Sequence, residues 1–224
     1  AILGFGAVAI TGDAQGKLLF QQQPLKMAAA EAACETGTSF SVLAIGDVSS
    51  ASCANVTDLV SIPSVLSFLA NGNFTTPVTG VNELIPQYEQ RYGTTLPKGS
   101  IYGSRSGAAI DYQPDMAVTY WGFRIMIGFG AIAAFAAAVA LWLTRKGTVP
   151  QSKRLMQLAV LGILAPFGAN AAGWIFTEMG RQPFVVAPNP TGVDGVYLFT
   201  AAAVSPGVTA GELITSLVSF AAVY

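Results

Sequence analysis

Nineteen consecutive positions, Ile125 to Leu143, carry no charged or polar side chain. At about 1.5 Å per residue this run nearly matches the ~30 Å hydrocarbon core of a bilayer. It predicts a membrane-spanning helix over residues 118–143. A second apolar run, 155–176, predicts another span, interrupted in its middle by Pro166 and Gly168. Shorter apolar stretches stand at both ends, 1–12 and 211–224, and neither is long enough to cross alone. Lipid leaves exposed backbone groups unpaired, so half-spans do not stand by themselves. Both ends are therefore expected to belong to longer spans, and the chain to the middle or C-terminal part of a longer protein.

Between these runs lie polar segments. The longest, 13–117, contains its own helix signals. Pro24 opens an alanine-rich stretch through Glu35, with Gly37 as its stop. Residues 62–70 predict a second short helix ending at Asn71-Gly72, and 80–92 a third that Pro86 could break. Residues 93–116 are rich in Gly, Ser and Pro and read as a loop. The connector 144–154 holds Arg145, Lys146, Lys153 and Arg154, which by the positive-inside rule makes it cytoplasmic. Segments 13–117 and 177–210 then face outside. The expected fold is all-α: a polytopic membrane helix bundle with a long extracytoplasmic loop domain.

Composition agrees, since 52% hydrophobic and 10% charged residues describe a membrane protein and not a soluble domain. A net charge of −1 offers no basic footprint for nucleic acid. The chain has no histidine, which excludes a Ser-His-Asp triad or a histidine-ligated metal built from these residues alone. Cys34 and Cys53 both fall in the outward segment, an oxidising compartment, and are expected to form a disulfide. Closing a loop of about twenty residues contributes ~3 kcal/mol in the chain-entropy model. At the start of the 118–143 span, Arg124 is an unfavourable charge unless it reaches the interface or an anion. Two positions on, the thioether of Met126 is a soft neutral donor able to cap a haem iron, although most helix methionines only fill space.

Three motifs in order carry a family resemblance. Gln23-Pro24-Leu25-Lys26-Met27-Ala28-Ala29-Ala30-Glu31-Ala32 resembles the start of the quinol-binding loop in subunit I of cytochrome bd-type quinol oxidases. Phe123-Arg124-Ile125-Met126 resembles that family's methionine haem-ligand helix. Gly173-Trp174 followed by Thr177-Glu178-Met179-Gly180-Arg181-Gln182-Pro183-Phe184 resembles its GRQPW signature, with Phe184 where tryptophan is usual. The cysteine-containing loop is similar to that of actinobacterial members.

The resemblance implies a terminal, electrogenic quinol oxidase of the cell membrane. Lys26 and Glu31 match the loop positions tied to quinol oxidation. A carboxylate can take protons from the quinol, and a lysine can bind a quinone oxygen. Five residues apart on an ideal helix, the two side chains diverge by about 140° and would not form one clamp. Met126 matches the axial ligand of low-spin haem b, whose histidine partner must lie outside these residues. Arg124 is implied beside that haem, and Arg181 is the cation carried over from the GRQPF motif; its bland alternative is a helix-end charge beside Glu178. A high-spin haem b and haem d, where O2 is reduced to water, are implied by the family alone. So are a heterodimeric partner, subunit II, and possible small accessory subunits. Two other classes fit composition and topology: a transporter whose Pro166–Gly168 interruption lines a cavity, and a membrane protein with a disulfide-stapled docking loop.

Overall fold

The computed structural model describes residues 2–46, 53, 56–147, 151–189, 192–203, 205 and 207–223. These form two compact units: Ala1–Ile85 with Gln113–Arg181, and Pro86–Tyr112 with Gln182–Tyr224.

The first unit is built on two apolar helices. Helix α5, Met116–Thr144, begins at Asp115, whose carboxylate accepts the Val118 N–H at 3.0 Å as an N-cap. The expected 155–176 span is two helices, α6 (Lys153–Gly162) and α7 (Leu164–Gly180), broken at Ile163. Pro166 is the cause: its ring clashes with the carbonyl four residues back, at Gly162, and it has no N–H to donate to that carbonyl. By length and composition, α5 and the 28 residues of α6–α7 are able to cross a membrane.

Helices α5 and α7 run antiparallel through a seam of glycines. A methyl group added at Gly122 would lie 3.3 Å from Phe176, at Gly168 3.2 Å from the Phe129 ring, and at Gly173 2.7 Å from the Met126 sulfur. Small residues let the backbones approach where lipid supplies no hydrophobic drive between helices.

Helix α1, Ile2–Gln22, continues well past the expected limit at Gly12-Asp13. Three of its polar side chains find partners on the helix itself. Lys17 pairs with Asp13 at 2.7 Å, and Thr11 donates to Ala7 O at 2.9 Å. Leu19 and Phe20 then pack beside Met27, Ala30 and Phe176. Gln23, held out of helical geometry by the following proline, separates α1 from α2 (Pro24–Ala30). Helix α2 is shorter than the 24–35 stretch expected. Ala32 takes a left-handed φ of 51°, with Ala33 N–H donating to Ala28 O at 2.9 Å and Ala32 N–H to Ala29 O at 3.1 Å. This is a Schellman ending, made here without glycine.

The all-α expectation needs correction. Strands β1 (Phe40–Ile45) and β2 (Thr57–Ile62) pair antiparallel, Phe40 opposite Ile62 and Ile45 opposite Thr57. Ser41 and Ala44 are buried, while Val42, Ile45, Leu59 and Val60 are exposed. Helix α3, Val65–Asn71, ends at Gly72 with φ 70°. Helix α4, Val81–Tyr92, runs through Pro86 without a break. Cys34 and Cys53 are joined in a disulfide, Cα atoms 5.5 Å apart.

In the second unit, Phe184 is buried among Tyr88, Tyr92, Tyr112, Tyr197 and Phe199, with ring centroids 4.9–6.3 Å away. A short ribbon joins β3 (Phe184–Val186) to β4 (Leu198–Phe199). Asp194 accepts from Arg91 at 2.6 Å and from the Tyr92 hydroxyl at 2.8 Å. Helix α8 covers Ala210–Val223.

The start of α4 is docked on the chain after α2. Val81 N–H donates to Ala33 O at 2.9 Å and Asn82 N–H to Cys34 O at 3.1 Å. A methyl group at Gly80 would meet Cys34 O at 2.5 Å and Glu35 Cα at 2.7 Å, both backbone. Gly80→Ala should therefore destabilise the purified protein by about 1–3 kcal/mol. Gly99→Ala, with extended backbone and open space around it, should leave the melting temperature unchanged.

Candidate functional site

The end of α2 delivers Glu31 into the protein. It is the C-cap of that helix, and the Schellman turn after it carries the chain away, so the carboxylate is left 3% exposed. Its partner is Arg124 of α5. One guanidinium nitrogen donates to Glu31 Oε2 at 2.8 Å and to Ser41 O at 2.7 Å; the other donates to Ala30 O at 3.3 Å. The guanidinium lies over the rings of Tyr120 and Phe40, at 4.5 and 4.8 Å. Tyr120 adds a further tie, accepting from Ala44 N–H at 3.0 Å and donating to Val42 O at 3.3 Å. Burial pushes the Glu31 carboxyl above the usual carboxylate range, against the opposing pull of Arg124.

Lys26 points elsewhere. It is 5% exposed, and its ammonium sits 4.9 Å from the centroid of the Phe176 ring on α7. Burial lowers its pKa to about 8, helped by the positive charge of Arg181 and opposed by Glu178. The two loop residues thus occupy separate polar environments, Glu31 with Arg124 and Lys26 near Arg181 and Glu178. Their divergence around α2 is the reason.

Arg181 caps the C-terminus of α7 and pairs with Glu178 one turn earlier. Met126 is half-buried, its sulfur in the α5–α7 seam against Gly173. Two residues apart on α5, Arg124 and Met126 project to different sides, Arg124 toward α2 and β1 and Met126 toward α7. The Met126 thioether is of the neutral type that can ligate a haem iron, and on another side of α5 Arg124 Nε is a buried donor with no hydrogen-bond partner among the described residues, of the type that can serve a haem carboxylate. The sequence reading missed three contributors: Tyr120, Phe176 and the seam glycines. Their signal, aromatic and glycine positions repeating along two apolar helices, is common to any packed membrane bundle.

A family model described as cytochrome bd terminal oxidase subunit I matches residues 1–224. The chain is similar to cytochrome bd ubiquinol oxidase subunit 1 of Bacillus subtilis (strain 168), 36% identical over 220 residues, covering 97% of this chain and 42% of that one. It is also similar to cytochrome bd-II ubiquinol oxidase subunit 1 of Escherichia coli (strain K12), 26% identical, covering 98% of this chain and 50% of the other. Among solved structures, the bd oxidase from Geobacillus thermodenitrificans matches all of this chain and 43% of its own, with 27% identity and a TM-score of 0.66. The chain spans half or less of the length of these relatives.

Removing one partner of a buried ion pair strands the other charge, at a loss of about 3–5 kcal/mol. Arg124→Met should lose stability on that scale. Adding Glu31→Gln should recover part of it, which a double-mutant cycle of thermal denaturation would measure. Additive losses would mean that the pair is not coupled.

Proposed function

Because the chain belongs to the cytochrome bd terminal oxidase subunit I family, we propose that it contributes the quinol-oxidising side of a terminal quinol:oxygen oxidoreductase. The observation that carries this reading is the burial of Lys26 and Glu31. Two ionisable residues, five positions apart on a loop helix, are both withdrawn from water against the helices that bear the other two motifs. A solvated helix face would leave them outside.

In this reading the quinol docks at α2. Its oxidation releases two protons with two electrons, so it needs proton acceptors tuned toward neutral pH. Glu31, raised by burial, is such an acceptor, and Arg124 holds its carboxylate in place. Lys26, brought to about 8, binds the developing negative charge on a quinone oxygen. Met126 would hold a low-spin haem b, which when bound would supply a one-electron acceptor. Arg124 Nε is the buried donor that would serve an acid group of that haem; Arg181, paired with Glu178, is the cation of the third motif.

Residues 13–117 and 177–210 face outside the cell membrane and 144–154 the cytoplasm, so protons from quinol leave outward. The high-spin haem b, haem d, the reduction of O2, subunit II and any accessory subunits rest on the family alone and are assigned no residue in this chain. The transporter and docking-loop alternatives give no reason for the two ionisable residues of the first family motif to be buried against the helices that bear the other two.

Two experiments test the reading. Met126→Leu should abolish the low-spin haem b band in a reduced-minus-oxidised spectrum of the intact complex while the protein stays in the membrane; an unchanged spectrum contradicts the ligand assignment. The Lys26 ammonium is lost as pH rises through about 8. The quinol KM should therefore climb above that pH in the wild type. Lys26→Arg, which stays charged, should show no such climb, and a climb that persists in the variant assigns the titration to another group.

A further inference from the structure

Two glycines of α7 stand one above the other. Gly173 and Gly180 are seven residues apart, which on a helix is the same face within about 20° and a rise of about 10 Å. Neither has a positive φ, so neither is required by backbone conformation. Gly173 lies inside the helix, where glycine is less favourable than alanine by about 1 kcal/mol, and Gly180 is its last residue. The space around them supplies a reason. A methyl group at Gly180 would lie 2.9 Å from Lys26 Cγ and 3.2 Å from Thr119 Cγ2; one at Gly173 would lie 2.7 Å from Met126 Sδ and 3.3 Å from its Cγ. The lysine stem crosses α7 at the upper notch, which lets its ammonium reach the Phe176 ring one turn below. The methionine side chain occupies the lower notch.

We propose that Gly180 and Gly173 are positioning residues, two notches on one face of α7 that seat Lys26 and Met126 and so fix the spacing between the loop lysine and the methionine of the span. The roles of Lys26 and Met126 in quinol oxidation rest on the function proposed above; the seating itself does not. A rigid helix is suited to this task. The loop is tied to α5 through Glu31 and Arg124, but that tie leaves Lys26, on another side of α2, free to swing unless α7 receives it. Alanine at either glycine would close the notch and is compatible with the helix, so the consequence is displacement of the seated side chain and not loss of α7.

The test is amine labelling of the intact, haem-loaded complex with mass mapping of Lys26, exposed Lys98 serving as internal standard. Lys26 should be protected in the wild type and labelled like Lys98 in Gly180→Ala. In the same variant the quinol KM should rise about tenfold, the size of one lost charge-assisted contact. In a Lys26→Ala background, where the Cγ is absent, Gly180→Ala should add nothing to KM. Gly173→Ala should shift the haem b midpoint potential and leave Lys26 protected. Protection of Lys26 in an assembled Gly180→Ala complex overturns the upper seat, as does an equal KM increment in both backgrounds. An unaltered potential in Gly173→Ala overturns the lower one. If Gly180→Ala fails to assemble, Lys26→Ala/Gly180→Ala should restore assembly, and failure to do so also overturns the proposal. A wild-type complex that does not oxidise quinol removes the proposed function but leaves the labelling result to decide the seating.

Discussion

The ion pair between Glu31 and Arg124 holds the first unit together at the point where its polar and apolar parts meet. Each charge would be unfavourable alone: a carboxylate 3% exposed at the end of α2, and a guanidinium near the start of a nineteen-residue apolar run. Together they satisfy one another, and the guanidinium's remaining donors recruit Ala30 O and Ser41 O. One side chain from α5 thereby fixes the end of α2 and the start of β1. The aromatic rings of Phe40 and Tyr120 close over it and keep water from competing for the pair.

The second constraint is close approach of α5 and α7. Glycines at 122, 168, 173 and 180 bring these helices together, and the side chains that fill the space include Met126 and Lys26. A loop residue and a span residue are thus referred to the same rigid element. The Glu31 tie and the α7 seam act on different sides of α2. This is how a seven-residue helix and its C-cap present two ionisable groups in two directions.

Burial does chemical work at both places. It raises a carboxyl and lowers an ammonium, the directions that the proposed quinol chemistry requires. The neighbours set the limits: Arg124 opposes the shift of Glu31, Glu178 that of Lys26. The disulfide Cys34–Cys53 and the backbone bonds from Val81 and Asn82 hold the chain just after Glu31, so the carboxylate is presented by a fixed segment.

Much of this was legible in order along the chain. The apolar runs announced α5 and α6–α7, Pro166 announced the break between them, and Pro24 announced α2, because these effects are local to a few residues. The family was legible from three motifs, and the 140° divergence of Lys26 and Glu31 followed from helix geometry alone. The continuation of α1 past Asp13 was not, because an internal Asp13–Lys17 pair overrides the usual meaning of two charges. Nor was the β1–β2 ribbon, whose first strand is held by Tyr120 and Arg124, more than seventy residues away. The sequence by itself determined which segments are apolar, where they break and which residue types carry chemistry. Only the tertiary structure decided which groups face one another, since pairing and desolvation arise from contacts between distant segments and leave no periodic trace in either.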